Sequence, residues 1–240
     1  MFFLGIDIHY FLYAGLPLLA LSLLAQLWVK SSYAKWSEVR NSKGISGAEA
    51  AYVVLRSAGV EDVKVERVDG FLSDHYSPSE KIVRLSPDNY DGRSIAAVGV
   101  AAHEAGHAIQ HAQAFAPLAL RSIAVPMANI GSQMGYFAIM IGCFMAYNGA
   151  PKLNLFTLLG LVGLAAVALF QLVNLPVELD ASRRALKHLP AIGILNEEEN
   201  AGARSVLTAA AMTYVAATIA ALWTLLYWLM RLGLIGGRRD

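Results

Sequence analysis

The sequence predicts a mainly α-helical membrane protein, with four transmembrane helices and a small α+β extramembrane domain built from a short β-sheet and one long helix. Three observations predict it. Hydrophobic residues make up 56% of the 240 positions and charged residues only 15%, against about a quarter charged in soluble domains. The apolar residues are segregated into four runs, each long enough for the roughly 20 residues of helix that cross a bilayer core. Between the first two runs lies a stretch whose patterning switches from strand-like alternation to helical.

Residues 8–29 form the first run and contain no Asp, Glu, Lys or Arg. No Lys or Arg precedes Lys30, so the basic region of a cleaved signal peptide is missing, although Ser32-Tyr33-Ala34 loosely fits a cleavage site. Residues 1–29 are therefore expected to be a retained transmembrane anchor.

Residues 30–121 are expected to form the main extramembrane region. Ser46-Gly47-Ala48-Glu49 has the spacing of a capping box and opens a short helix that Gly59 can end. Residues 63–68 alternate like a strand, Asp69-Gly70 marks a turn, and residues 71–76 and 81–85 read as two more short strands. Residues 86–91 are rich in turn formers and read as a loop. From Arg93 an Ala-rich helical pattern runs without proline as far as Pro117.

Residues 122–177 hold the second run (122–151) and the third (153–177), expected to form a transmembrane hairpin. Gly131, Gly135 and Gly142 in the second and Gly160 and Gly163 in the third suit close helix packing in lipid. Residues 178–204 read as a further extramembrane helix, with Pro176 breaking the membrane helix or starting the next one. There Asn196 and Glu199 are spaced as a second capping box. Residues 205–240 supply the fourth run and a tail. Trp28, Trp36, Trp223, Tyr227 and Trp228 lie near run ends, as interfacial aromatics do.

Lys30, Lys35, Arg40 and Lys43 follow the first run, and Arg183, Arg184, Lys187 and Arg204 lie between the third and fourth. Positive charge gathers on cytoplasmic loops, which places residues 30–121 and 178–204 in the cytoplasm; Arg231, Arg238 and Arg239 on the far side run against that vote. The net charge of +1 argues against a nucleic-acid partner, whose binders are strongly basic. The single cysteine, Cys143, lies in an apolar run, so neither a disulfide within the chain nor cysteine chemistry is indicated.

The long helical stretch carries His103-Glu104-Ala105-Gly106-His107. Residues four apart share a helix face, about 6 Å apart along the axis, so two imidazoles there can bind one zinc ion. Glu104, rotated round the helix, can act as general base on a zinc-activated water without ligating the metal. Small and apolar neighbours surround these three polar groups, and burying them without a partner is costly. A catalytic zinc takes three protein ligands. His111 is about 12 Å along the axis from His103, too far for one metal on a straight helix. Glu178 is the stronger candidate for the third ligand, because a hairpin of the second and third runs returns the chain to the face that His107 left. Asp180 is its rival.

Four blocks carry a resemblance to a known family: Leu72-Ser73-Asp74-His75-Tyr76, Val83-Arg84-Leu85-Ser86, Ala102 to Gln110 around the two histidines, and Pro176-Val177-Glu178 through Ser182-Arg183-Arg184. In this order they resemble the YugP-like neutral zinc metallopeptidases, a similarity that spans nearly the whole chain. A looser similarity is to HtpX-type and CAAX prenyl proteases. The resemblance implies a multi-pass bacterial inner-membrane protease with a zincin-like cytoplasmic domain, Zn2+ as cofactor and a gluzincin-like site. In the looser relatives an Asp four residues after the later Glu orients the first ligand; here that position is Ser182, so Asp180 or Asp74 is a candidate to orient a histidine instead. The zincin pattern also offers residues 81–85 as an edge strand for an extended substrate, or equally as a plain structural hairpin. His75 or Arg183 are candidates for oxyanion stabilisation, against loop polarity for the one and membrane anchoring for the other.

The function expected is a zinc-dependent endopeptidase that hydrolyses membrane-associated or misfolded polypeptides. The lipid bilayer is its other partner, and a membrane-protein partner or homo-oligomer is allowed. The alternative is a non-catalytic scaffold whose zinc staples helices, which requires a fourth protein ligand such as His111 or Asp180. A transporter ranks last, because the runs carry almost no ionisable residue beyond His9.

Overall fold

The computed structural model of the chain describes residues 2–3, 6–70 and 73–236. Strands β1 (Phe2–Phe3) and β2 (Ile6–Asp7) pair antiparallel. Helix α1 (Ile8–Tyr10) passes through a π-helical turn, Phe11–Gly15, into α2 (Leu16–Ser37). Then follow α3 (Gly47–Ser57), strands β3 (Lys64–Arg67), β4 (His75–Ser77) and β5 (Ile82–Leu85), α4 (Pro87–Tyr90) and α5 (Ile95–Ala112). Three long helices complete the chain: α6 (Ala116–Tyr147), α7 (Leu155–Ala191) and α8 (Glu197–Arg231). Four helical stretches are long and apolar enough to cross a membrane: Ile8–Ser37, α6, α7 and α8.

The chain divides into two compact units. The first comprises Met1–Leu24, Ala119–Leu175 and Tyr214–Asp240. Within it α6 and α7 approach backbone to backbone. A Cβ placed on Gly131 would stand 2.4 Å from the carbonyl oxygen of Gly163, so only glycine permits this spacing. Asn154 caps α7, its Oδ1 accepting from the N–H groups of Phe156 and Thr157. The Tyr10 hydroxyl lies 3.3 Å from both the Tyr136 hydroxyl and Thr224 Oγ1, tying three helices together.

The second unit comprises Ala25–Leu118 and Pro176–Thr213. Its core gathers Val54, Leu55, Val83, Leu85, Ile95 and Ile109 with Ala185 and Leu189 of α7. The capping box expected at α3 is present: Glu49 N donates to Ser46 Oγ, and Ser46 N donates to Glu49 Oε2 at 2.6 Å. That backbone bond holds the Glu49 carboxyl below the usual carboxylate range. The second box, Asn196 with Glu199, also forms. Glu199 in addition accepts from Ser42 N and Ser42 Oγ, so it fastens the start of α8 to the loop before α3.

Several sequence expectations need correction. Helix α7 does not break at Pro176; the proline sits inside it. An interior proline costs about 3 kcal/mol, but Val177, Ala181, Ala185 and Leu189 are all fully buried along the continuing helix, and that burial outweighs it. Residues 86–91 are not all loop, since α4 forms one turn with Pro87 at its first position, where its missing N–H costs nothing. Residues 81–85 are not an edge. The sheet order is β3-β5-β4, with β5 parallel to β3 and antiparallel to β4. Both sides of β5 are therefore paired, and β4 and β3 are the edges. Of the strand expected over residues 71–76, the first two positions lie outside the described residues and the strand itself begins at His75.

Substituting Gly131 by Val forces α6 and α7 apart or strains them. We expect a loss of about 1–3 kcal/mol, read as a lower unfolding temperature of the detergent-purified protein; an unchanged transition would contradict the backbone contact.

Candidate metal centre

Helix α5 starts at Ser94, whose Oγ accepts from Ala97 N. Its Ala- and Gly-rich body lets neighbours come close on several sides. The decisive approach is at Gly106, where a Cβ would lie 2.6 Å from the carbonyl oxygen of Ala181 in α7. No larger residue allows α5 to touch α7 there. The contact sets Glu178 and Ser182, on either side of Ala181, against His103 and His107, on either side of Gly106.

His103 and His107 present their rings edge to face, with centroids 4.8 Å apart. Both Nε2 atoms converge on one oxygen of Glu178: His103 Nε2 is 3.3 Å and His107 Nε2 3.6 Å from Glu178 Oε2. One ligating atom from each of the three side chains lies within 4.8 Å of the others. Zinc bonds of about 2.0–2.2 Å in tetrahedral array put neighbouring ligand atoms about 3.3–3.5 Å apart, close to the two histidine–glutamate distances. Glu178 is 2% exposed and His107 6%.

The Nδ1 atoms face other partners. His107 Nδ1 lies 3.0 Å from Gln110 Oε1. The Gln110 amide has a fixed orientation, because its Nε2 donates to the Val177 carbonyl (2.8 Å) and to Asp180 Oδ2 (3.0 Å). Its oxygen therefore faces His107, and His107 Nδ1 must carry the proton. In its neutral form the ring then has its lone pair on Nε2, pointed at a carboxylate oxygen. In that form the three side chains offer a cation one nitrogen from each histidine and one carboxylate oxygen. The donor set, the tautomer and the spacing all fit a bound zinc ion.

Ser182 Oγ lies 3.0 Å from His103 Nδ1. Thus Ser182, four residues after Glu178, contacts the ring where an Asp was expected in the looser relatives. Asp180 orients a histidine one step removed, through Gln110, and its Oδ2 also accepts from Arg184 Nε at 2.5 Å. Asp74 contacts neither histidine: it accepts from Ser86 N, Ser86 Oγ and Asn89 Nδ2 and so shapes the turn into α4. His75 is exposed and its Nδ1 donates to the Ser73 carbonyl at 2.8 Å. Arg183 is a surface side chain, 78% exposed and 3.9 Å from Asp180. His111 turns away to Tyr76, with Nδ1 2.8 Å from the phenol. Burial, with the charge of Asp62, pushes the Tyr76 phenol up to about 12, so it stays protonated.

Glu104 follows His103 on α5 and is 9% exposed. Among the described residues no hydrogen bond or ion pair engages its carboxylate. Gln110 and Gly106 are the two residues whose roles residue-by-residue reading did not assign. The available signals were Gln110 three residues after His107, hence on the same helix face, and a glycine in mid-helix, which costs about 1 kcal/mol unless packing requires it.

Four membrane-capable helices and a largely buried His-His-Glu group that could hold a metal ion define a membrane protein with a candidate metal centre. The chain belongs to the family described as "Putative neutral zinc metallopeptidase", whose family model matches residues 10–233. It is 41% identical over 220 residues to a protein of Bacillus subtilis (strain 168) named "Putative membrane protease YugP", covering 92% of this chain and 95% of that one. No solved structure matches the chain.

Replacing Gln110 by Leu, or Ser182 by Ala, removes one partner of a histidine Nδ1 and leaves the ligating atoms in place. Each substitution should weaken zinc binding about 10–100-fold, measured by competition with a chromogenic chelator, whereas Asp74→Ala should leave zinc affinity unchanged.

Proposed function

We propose that this chain is a membrane-embedded zinc endopeptidase whose metal is held by His103, His107 and Glu178, with Glu104 as general base. The observation that carries this reading is the convergence of two imidazole Nε2 atoms on one buried Glu178 oxygen. Zinc, when bound, supplies a Lewis acid that acidifies water and polarises the scissile carbonyl. Glu104 takes the proton of the attacking water and later returns it to the leaving amine. Gln110 and Ser182 hold the two rings so that Nε2 is the atom presented. The structural-zinc alternative requires a fourth protein ligand, and both candidates are engaged elsewhere: His111 with Tyr76, and Asp180 with Gln110 and Arg184.

With β5 paired on both sides, we assign the substrate-pairing role offered for residues 81–85 to the edge strand β4 instead. That strand has one paired side, toward β5, and the Tyr76–His111 bond pins it to the end of α5. An extended polypeptide can add to its other side by main-chain hydrogen bonds. The basic residues flanking the apolar runs favour a cytoplasmic location for the site. Substrates there would be membrane-associated or unfolded polypeptides.

Glu104→Gln should keep about one zinc per chain and lower cleavage of an unfolded reporter polypeptide in proteoliposomes by at least about 10²-fold. Glu178→Ala should lose the zinc, as read by elemental analysis. Full proteolysis by Glu104→Gln would overturn the assignment of the base, and retained stoichiometric zinc in Glu178→Ala would overturn the third ligand.

A further inference from the structure

In the first unit, one face of α6 carries Gly131, Gly135 and Gly142 and is taken up by the close contact with α7. On another flank Asn129 and Gln133 are exposed. Both lie deep in the second apolar run. At about 1.5 Å per residue, Asn129 stands about 10 Å and Gln133 about 16 Å along the axis from Ser122, the latter half-way through a hydrocarbon core of about 30 Å. Among the described residues no hydrogen bond engages either side-chain amide; Ser132 Oγ donates to the Asn129 main-chain carbonyl instead. The other amide side chains of the apolar runs are withdrawn or lie at an end. Asn174 is buried and Gln171 half-buried, Gln26 lies beside Trp28 and Lys30, and Asn148 and Asn154 are at the turn between α6 and α7. An amide that faces lipid without a partner is far costlier than one that faces water, and in membranes Asn and Gln side chains bond across to another helix. We propose that this flank of α6 binds the same flank of α6 in a second copy of the chain, as a parallel two-helix seam.

Two observations select that occupant. Ser122, Pro126, Asn129, Gln133, Tyr136 and Met140 are all exposed and follow one another at alternating steps of four and three, the period at which two parallel helices keep one face together. Two copies inserted in one membrane with the same topology run parallel, and a two-fold axis along the membrane normal brings like residues face to face. The second observation is the chemistry of the exposed groups. Each amide has two N–H donors and an oxygen acceptor, so Asn129 can both donate to and accept from Asn129 of the second copy, and Gln133 likewise. A foreign helix would need polar groups at the same two depths; a second copy supplies them by symmetry. The seam is also pre-set on its own side. Tyr136 is held with its hydroxyl 3.3 Å from that of Tyr10, and the glycine contact with α7 fixes the rotation of α6 behind it.

The test uses the full-length protein in liposomes. In a Cys143→Ser background, Met140→Cys, on the seam, should be joined to a second copy by a short bis-maleimide, read as a band at twice the chain mass. Ile141→Cys, at a position that is also exposed but about 100° round the helix, should give at least tenfold less of that band. The double variant Asn129→Leu, Gln133→Leu should associate at least about tenfold more weakly, measured by single-molecule photobleaching over a series of protein-to-lipid ratios, while zinc content stays at the wild-type level. Should the double variant fold poorly, the comparison of Met140→Cys with Ile141→Cys decides. A wild type that stays monomeric at every ratio, equal yields from Met140→Cys and Ile141→Cys, or undiminished association of a folded double variant would each overturn the proposal. So would cross-linking of Met140→Cys in native membranes to a different protein in place of a second copy, which would assign this flank to another membrane protein.

Discussion

The close approach of α5 to α7 at Gly106 and Ala181 is the constraint on which the site depends. It rests on the absence of a side chain at Gly106, and it is steric before it is chemical: a Cβ there would overlap a main-chain oxygen. Once two helices meet at that distance, the residues one short step to either side of the contact have to meet as well. His103 and His107 flank Gly106 on one helix; Glu178 and Ser182 flank Ala181 on the other. The core around Leu189, Ala185, Ile109 and Ala105 holds the two helices together with apolar burial and has room for neither a wider spacing nor a rotated face.

Around this contact the polar groups form one connected set rather than isolated pairs. Arg184 bonds Asp180, Asp180 accepts from Gln110, and Gln110 fixes the tautomer of His107. Each member is satisfied by the next, which is what permits so many polar atoms in a buried place. The consequence is directional. A glutamine amide that has committed both N–H bonds elsewhere can only accept from the histidine, and a neutral histidine that donates through Nδ1 offers a lone pair at Nε2. The nitrogen that His107 presents to the candidate metal position is thus set by hydrogen bonds made elsewhere.

The first unit relies on a different economy. Its helices are lined with glycine where they touch, and backbone-to-backbone packing replaces the hydrophobic burial that lipid cannot drive. Polar side chains also close the turn before α7, where Asn154 and Thr157 cap the helix.

Four apolar helices, both capping boxes, the order of helix, small sheet and long helix, and the pair of histidines one turn apart were legible in the residues alone. All of these rest on interactions within a few residues, or on composition over a run, and the linear order records them. The candidate third ligand was also legible, because a hairpin returns the chain to the side it left. Only the tertiary structure decided the rest. That β5 lies in the middle of the sheet follows from pairings between distant residues, to which the alternation of a single strand is blind. That α7 runs through Pro176 follows from burial on its far side, which local propensity does not count. That Ser182 meets His103, and that Gln110 joins His107 to Asp180, follow from where Gly106 lets two helices touch. Side-chain partners so far apart in sequence have no local signature, and their roles exist only once the packing has brought them within hydrogen-bond reach.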